Sequence, residues 1–190
     1  MGRKIYLGLL IVLLLSVVLI SGCLRPEGQV TEERYALGES VTSGNMEVKV
    51  SEYVTTSTIM RPDEPLEANR KVNAGPEEVF LILHASIKNM GAQEEKVGVA
   101  QSVPGMRRGF GLEYKGERVP WFQLDTKFTI PGRDGAYSPF FAEAHDVASL
   151  SPGQSVDGWI VFVLPHDFEP EYATFEIIND YQETFRWKLS

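Results

Sequence analysis

Glu78-Val79-Phe80-Leu81-Ile82-Leu83-His84-Ala85-Ser86-Ile87-Lys88-Asn89 is the stretch on which the fold turns. At the two-residue period of an extended chain, Val79, Leu81, Leu83, Ala85 and Ile87 share one face. Phe80, Ile82, His84, Ser86 and Lys88 share the other, which is apolar at its start and polar toward its end. A strand with so much apolar surface belongs in the middle of a sheet, in the core of the domain.

The flanking sequence has the same period. Met46, Val48 and Val50 alternate with Glu47, Lys49 and Ser51, the pattern of a half-buried strand. From Thr55 to Pro76 it dissolves into prolines, charges and a Thr/Ser run, which predicts a long surface excursion with one helical turn around Leu66 to Val72. Asn89-Met90-Gly91 reads as a turn tolerant of left-handed backbone. Lys96 to Val103 follows as a strand ended by Pro104-Gly105, and Phe110 to Tyr114 runs through Lys115-Gly116 into Arg118 to Phe122 as a tight hairpin. Residues 123 to 148 are irregular, and Ser138-Pro139 predicts one short helix turning Phe140, Ala144 and Ala148 to the same side. Leu150-Ser151-Pro152-Gly153 is a turn feeding Val156 to Leu164, apolar on both faces. Ala173, Phe175 and Ile177, the Asn179-Asp180 turn, and Phe185, Trp187 and Leu189 complete the chain. Seven to nine short strands without a sustained helical period predict an all-β antiparallel β-sandwich.

The other end of the chain sets its expected location. Arg3 and Lys4 precede an uncharged, almost wholly aliphatic run from Ile5 to Ile20, followed by Ser21-Gly22-Cys23, the marks of an export signal. Leu19-Ile20-Ser21-Gly22-Cys23 resembles the lipobox of prokaryotic lipoproteins, which implies cleavage before Cys23 and a lipid on its sulfur. The expected organisation is a signal peptide over 1–22, a flexible tether over 23–36 and one sandwich domain over 37–190. The alternative is that the segment stays as an uncleaved, slightly short membrane helix. In both cases the domain is attached to the cell membrane on its extracytoplasmic side.

Charge and cysteine content narrow the function classes. The chain carries 18 basic and 26 acidic residues, a formal charge of -8, and loss of Arg3 and Lys4 with the signal leaves 16 against 26, or -10. Such a surface repels phosphate backbones and argues against nucleic acid as a partner. It argues equally against a polybasic contact with anionic lipid. With one cysteine, no disulfide forms within the chain and no thiolate zinc site can be built.

The remaining chemistry is sparse. His84, His145 and His166 lack ligand spacing, and His84 reads as a satisfied strand histidine. Glu143, His145 and Asp146 read as a solvated loop rather than a metal site, and the acids around Asp63 and Glu64 are too sparse for calcium. Gly153-Gln154-Ser155-Val156-Asp157 approaches a nucleophile elbow but lacks the last glycine and enters a strand. The glycines of 105 to 111 around Arg107-Arg108 have no helix after them to hold a phosphate. No nucleophile, base and orienter can be named together, so neither enzyme nor cofactor is expected.

One group stands out: Trp121, Phe122, Phe128, Tyr137, Phe140 and Phe141 place six aromatics within 21 residues. Exposed, Trp121, Tyr137, Phe140 and Phe141 would form a ligand or partner patch. Buried, they pin a long loop to the sandwich, and this is favoured because monomers rarely expose so much contiguous apolar surface.

Leu37-Gly38-Glu39-Ser40-Val41, Phe80 to Asn89 with Gly91, the Phe110 to Gly116 hairpin, and Leu150-Ser151-Pro152-Gly153 with Gly158 to Pro165 together resemble the telokin-like, immunoglobulin-like domains of unknown function in prokaryotic lipoproteins. The resemblance implies an immunoglobulin-type sandwich outside the membrane and no catalytic residues; the 55–76 and 123–148 segments depart from shorter members. The expected function is a membrane-anchored binding or interaction module, its partner an envelope protein or small ligand met through loops at one end. The alternative is an accessory or structural subunit of a cell-envelope assembly that uses a sheet face or edge.

Overall fold

Strand β6, Glu78–Asn89, lies at the centre of its sheet, as its two-faced apolar pattern requires. The computed structural model describes residues 34–98, 109–124, 126–140, 147–178 and 184–190. The expected signal, Cys23 and most of the tether lie outside the described residues, as do Arg107-Arg108, Phe141, Glu143, His145, Asp146 and the Asn179-Asp180 turn.

The elements in chain order are β1 Arg34–Tyr35, β2 Ser40–Ser43, β3 Met46–Thr56, β4 Thr58–Met60, α1 Glu67–Arg70, β5 Lys71–Asn73 and β6. Next come β7 Glu95–Gly98, β8 Gly109–Tyr114, β9 Glu117–Val119 and β10 Trp121–Phe122. β11 Val147–Leu150, β12 Ser155–Pro165, β13 Ala173–Ile178 and β14 Thr184–Lys188 follow.

Two five-stranded sheets carry the fold, one in the order β1-β14-β13-β8-β9, the other β10-β12-β6-β3-β2. With β3, β6, β12 and β10 as strands A, B, E and D, and β8, β9, β13 and β14 as C, C′, F and G, this is the immunoglobulin sandwich. Apart from the two-residue edge pieces β1 and β10, eight strands make up the two sheets, within the expected number. The pairing is antiparallel except for β1, which runs parallel to β14. Arg34 and Tyr35, expected in the tether, therefore sit in a sheet, with Tyr35 5.7 Å from the Trp187 ring.

Between the sheets lies the main core, built on Leu81, Leu83, Ala85 and Ile87 of β6, Ile160, Phe162 and Leu164 of β12, and Leu112, Phe175 and Trp187 opposite. The outward side of β6 begins with Phe80 and Ile82, and these are also fully buried. They join Val54, Ile59, Leu124, Phe128, Ile130 and Val161 in a second core. The excursion after β3 and the 123–140 segment meet there: Met60 and Thr129 exchange backbone hydrogen bonds of 2.9 and 2.7 Å, and β4 pairs with β5. Together they roof half of the outer face of the β10-to-β2 sheet.

Some local expectations are corrected. Ser138-Pro139-Phe140 is extended rather than helical: Phe140 N–H donates to the Trp159 carbonyl and Trp159 N–H to the Ser138 carbonyl, both at 3.0 Å. This clip needs Gly158, where an added Cβ would stand 2.3 Å from the Phe140 Cα. Val147 and Ala148 are in β11, paired with β7. The hairpin at Lys115-Gly116 forms, both residues having positive φ (50° and 83°), but its return strand ends at Val119, and beyond Pro120 the chain crosses to the other sheet as β10. Helical structure near Leu66 is confined to α1, and Lys71–Asn73 is strand. The turn after β6 uses the Asn89 side chain instead of left-handed backbone. Buried Asn89 donates from Nδ2 to the Gln93 and Leu150 carbonyls (2.7 and 2.8 Å), and its Oδ1 accepts from Gly91 N–H at 2.8 Å. All its polar atoms are satisfied.

Candidate functional site

At His84 the roof over the outer face stops. Beyond it, Ser86 and Lys88 of β6, Glu47 and Lys49 of β3, and Ser155 and Asp157 of β12 share a polar surface whose side chains are half-buried to exposed. The histidine stands at the boundary, its side chain 23% exposed.

A β-bulge assembles its surroundings. The β3–β6 register shifts between Val50 and Glu52, so Ser51 is an extra residue in β3. Before it, Val48 and Val50 point into the main core; after it, Tyr53 packs on that core and Val54 joins the second one. The slip places both Ser51 and Glu52 on the outer side beside His84, Glu52 being its cross-strand partner.

Ser51 Oγ lies 2.6 Å from His84 Nδ1, and Asp157 Oδ2 lies 3.3 Å from His84 Nε2. Three adjacent strands thus contribute a serine, a histidine and an aspartate in a row. The carboxylate accepts only, so in the neutral imidazole Nε2 carries the hydrogen toward Asp157 and Nδ1 accepts the Ser51 O–H. Asp157 is 67% exposed, which screens the charge–dipole contact with His84. Both partners are side chains at a solvent boundary, unlike the backbone carbonyls that hold Asn89.

Aromatic rings form the wall on the roofed side. Trp159, the cross-strand partner of His84, has its ring centroid 4.8 Å from the imidazole. Tyr137 meets Trp159 edge-on at 4.8 Å and stacks on Phe128 at 5.5 Å. Tyr137 and Trp159 are half-buried, so the file of rings runs from the roof's interior to its rim.

Of the described residues of the expected aromatic patch, Trp121, Tyr137 and Phe140, Tyr137 alone sits at this site, and Phe141 lies outside the described residues. Phe140 is 5% exposed, edge-on to Phe110 at 4.9 Å in the main core. Trp121 is half-buried against that same core. These two rings pin their segments. Ser51 and Asp157 were not anticipated as partners of His84, and only the paired strands bring them together. Among the described residues no group of three or more His, Cys, Asp and Glu is placed to hold a metal. Nor is any helix among them long and apolar enough to cross a membrane.

A second polar cluster lies at the β8–β9 hairpin. Lys115 Nζ is 3.0 Å from Glu169 and just over 5 Å from the Tyr114 and Tyr172 ring centres. Its hydrogen bonds to Glu169 and then Tyr114 hold the ammonium above the ordinary lysine range. The lysine itself occupies the space between the rings.

No protein family and no curated protein matches the chain. Among solved structures, the yjhA protein from Bacillus subtilis is similar at 16% identity and a TM-score of 0.48, over 81% of this chain and 98% of that one. An uncharacterized beta-sandwich protein from Clostridium difficile is similar at 14% identity and a TM-score of 0.46, over 84% and 97%. The candidate lipoprotein ycdA from Bacillus subtilis is similar at 12% identity and a TM-score of 0.41, over 77% of this chain and 37% of that one. No residue role is carried over from them.

Proposed function

We propose that the chain is an extracytoplasmic lipoprotein, held by a lipid on Cys23, whose sandwich binds a small ligand with both an apolar and a hydrogen-bonding part. The site is the rim of the roof, where Trp159 and Tyr137 meet His84, Ser51, Glu52 and Asp157. The supporting observation is the junction itself: half-buried ring surface ends against polar side chains on one rigid sheet, which suits a ligand of mixed polarity. The apolar part of this face, which a structural partner would need, is already covered by the chain's own segments.

Thermal-shift screening of the full chain in detergent against amphipathic small molecules tests the site. A ligand present at 100 times its Kd stabilises by about 2.7 kcal/mol. The shift is expected to vanish in Trp159→Leu and to persist in Phe140→Leu, corrected for each variant's own melting point. A stabilising compound that ignores Trp159 would place the site elsewhere. The anchor is tested separately by metabolic fatty-acid labelling, which Cys23→Ser is expected to abolish.

A further inference from the structure

We propose that Ser51 is a nucleophile toward activated acyl compounds, with His84 as its base and Asp157 as the residue that positions His84. Three observations converge on this. The Ser51 Oγ to His84 Nδ1 distance of 2.6 Å is within range for direct proton transfer. The opposite ring nitrogen is engaged by the Asp157 carboxylate at 3.3 Å, leaving Nδ1 as the accepting atom. Ser51 occupies a bulge, the irregularity that re-aims a side chain out of the regular ladder. The roles are those of nucleophile, base and orienter in acyl transfer, with the two imidazole nitrogens exchanged relative to the usual serine triad.

The substrate class follows from the walls. An ester with an aromatic or short acyl portion would rest against Trp159 and Tyr137, its carbonyl carbon toward Ser51. Oγ then bonds to that carbon while its proton moves to Nδ1. The carbon–oxygen bond to the leaving group breaks as Nδ1 returns the proton to the departing oxygen. Water repeats the sequence on the acyl-serine and releases the carboxylic acid, so ester and water become acid and alcohol.

This deepens the binding reading of the same rim. The full chain in detergent is treated with a fluorophosphonate probe, in which Oγ–P forms, P–F breaks and the proton passes through His84 to solvent. Intact mass and peptide mapping are expected to show one adduct, on Ser51, absent in Ser51→Ala. His84→Gln is expected to slow labelling about 100-fold. Asp157→Asn is expected to slow it about fivefold, and Asp157→Glu to restore it. Melting curves establish that each variant is folded. If His84→Gln does not fold, the position of the wild-type adduct decides. No adduct at a probe concentration that labels a control serine hydrolase, an adduct confined to other residues, or an unchanged rate in folded His84→Gln overturns the proposal. A compound that stabilises wild type and Ser51→Ala alike, with no adduct on the wild type, overturns the reactive serine and leaves the binding reading standing.

Discussion

The outer face of the β10-to-β2 sheet has two halves built from the same three strands, and they have opposite fates. Along β3, β6 and β12 the half carrying Val54, Phe80, Ile82 and Val161 is sealed under two inserted segments. The half carrying Lys49, Ser86, Lys88 and Asp157 is polar and half-buried to exposed, with no apolar cluster over it among the described residues. The β12–β6 ladder runs unbroken across both, and β3 pairs with β6 on either side of its one bulge, so cover follows side-chain chemistry and not the sheet. Burying a large apolar side chain contributes about 1.5–3 kcal/mol, so several together help offset the cost of ordering an inserted segment over the first half, while the second offers nothing comparable. The boundary is where ring surface and titratable groups are forced together.

Truncating the roof should break this contrast most severely. Phe128→Ala removes a fully buried ring from the second core, and a loss of about 4 kcal/mol is expected in urea unfolding, together with rapid amide exchange at Met60 and Thr129. A roof contributing nothing to stability would show less than about 1 kcal/mol. Next comes the clip. Gly158→Ala should cost about 3 kcal/mol, because the new methyl meets Phe140 backbone, which cannot yield as a side-chain tip would. At the boundary, His84→Gln should cost about 1 kcal/mol, the scale of one net hydrogen bond. The open half should be the most tolerant: Lys49→Ala is expected to move stability by under about 0.5 kcal/mol, and a larger loss would mean that this half is covered after all.

Much of this architecture was legible along β6. Alternation of Val79, Leu81, Leu83, Ala85 and Ile87 marked a central strand, and the change from Phe80 and Ile82 to His84 and Lys88 marked the two halves of its other face. What Phe80 and Ile82 packed against was not legible, because the covering residues Ile59, Phe128 and Ile130 lie in segments with no period of their own. Ser138-Pro139 carries a helix-start signal, yet the chain there takes an edge position on β12, since a glycine at 158 lets backbone approach backbone. The site was hidden for another reason. Ser51 and Asp157 stand 33 and 73 residues from His84, and only cross-strand register unites them. Asp157 does fall within the stretch that approaches a nucleophile elbow, but Ser155, the serine of that stretch, is exposed in β12 and takes no part in the row. The break in alternation at Ser51-Glu52-Tyr53-Val54 was the one visible trace of the bulge.

That added residue in β3 works as a phase shift between two stretches of a single strand. Deleting Ser51 would join Val50 to Glu52 and restore strict alternation, with Tyr53 still facing the main core and Val54 the second one. Every later side chain of the strand would keep its face, and the loss would be confined to the Ser51 hydroxyl beside His84. A one-residue deletion should therefore be borne best at Ser51 and worst in the paired stretch after it, where it turns Glu52 or Val54 to the wrong face.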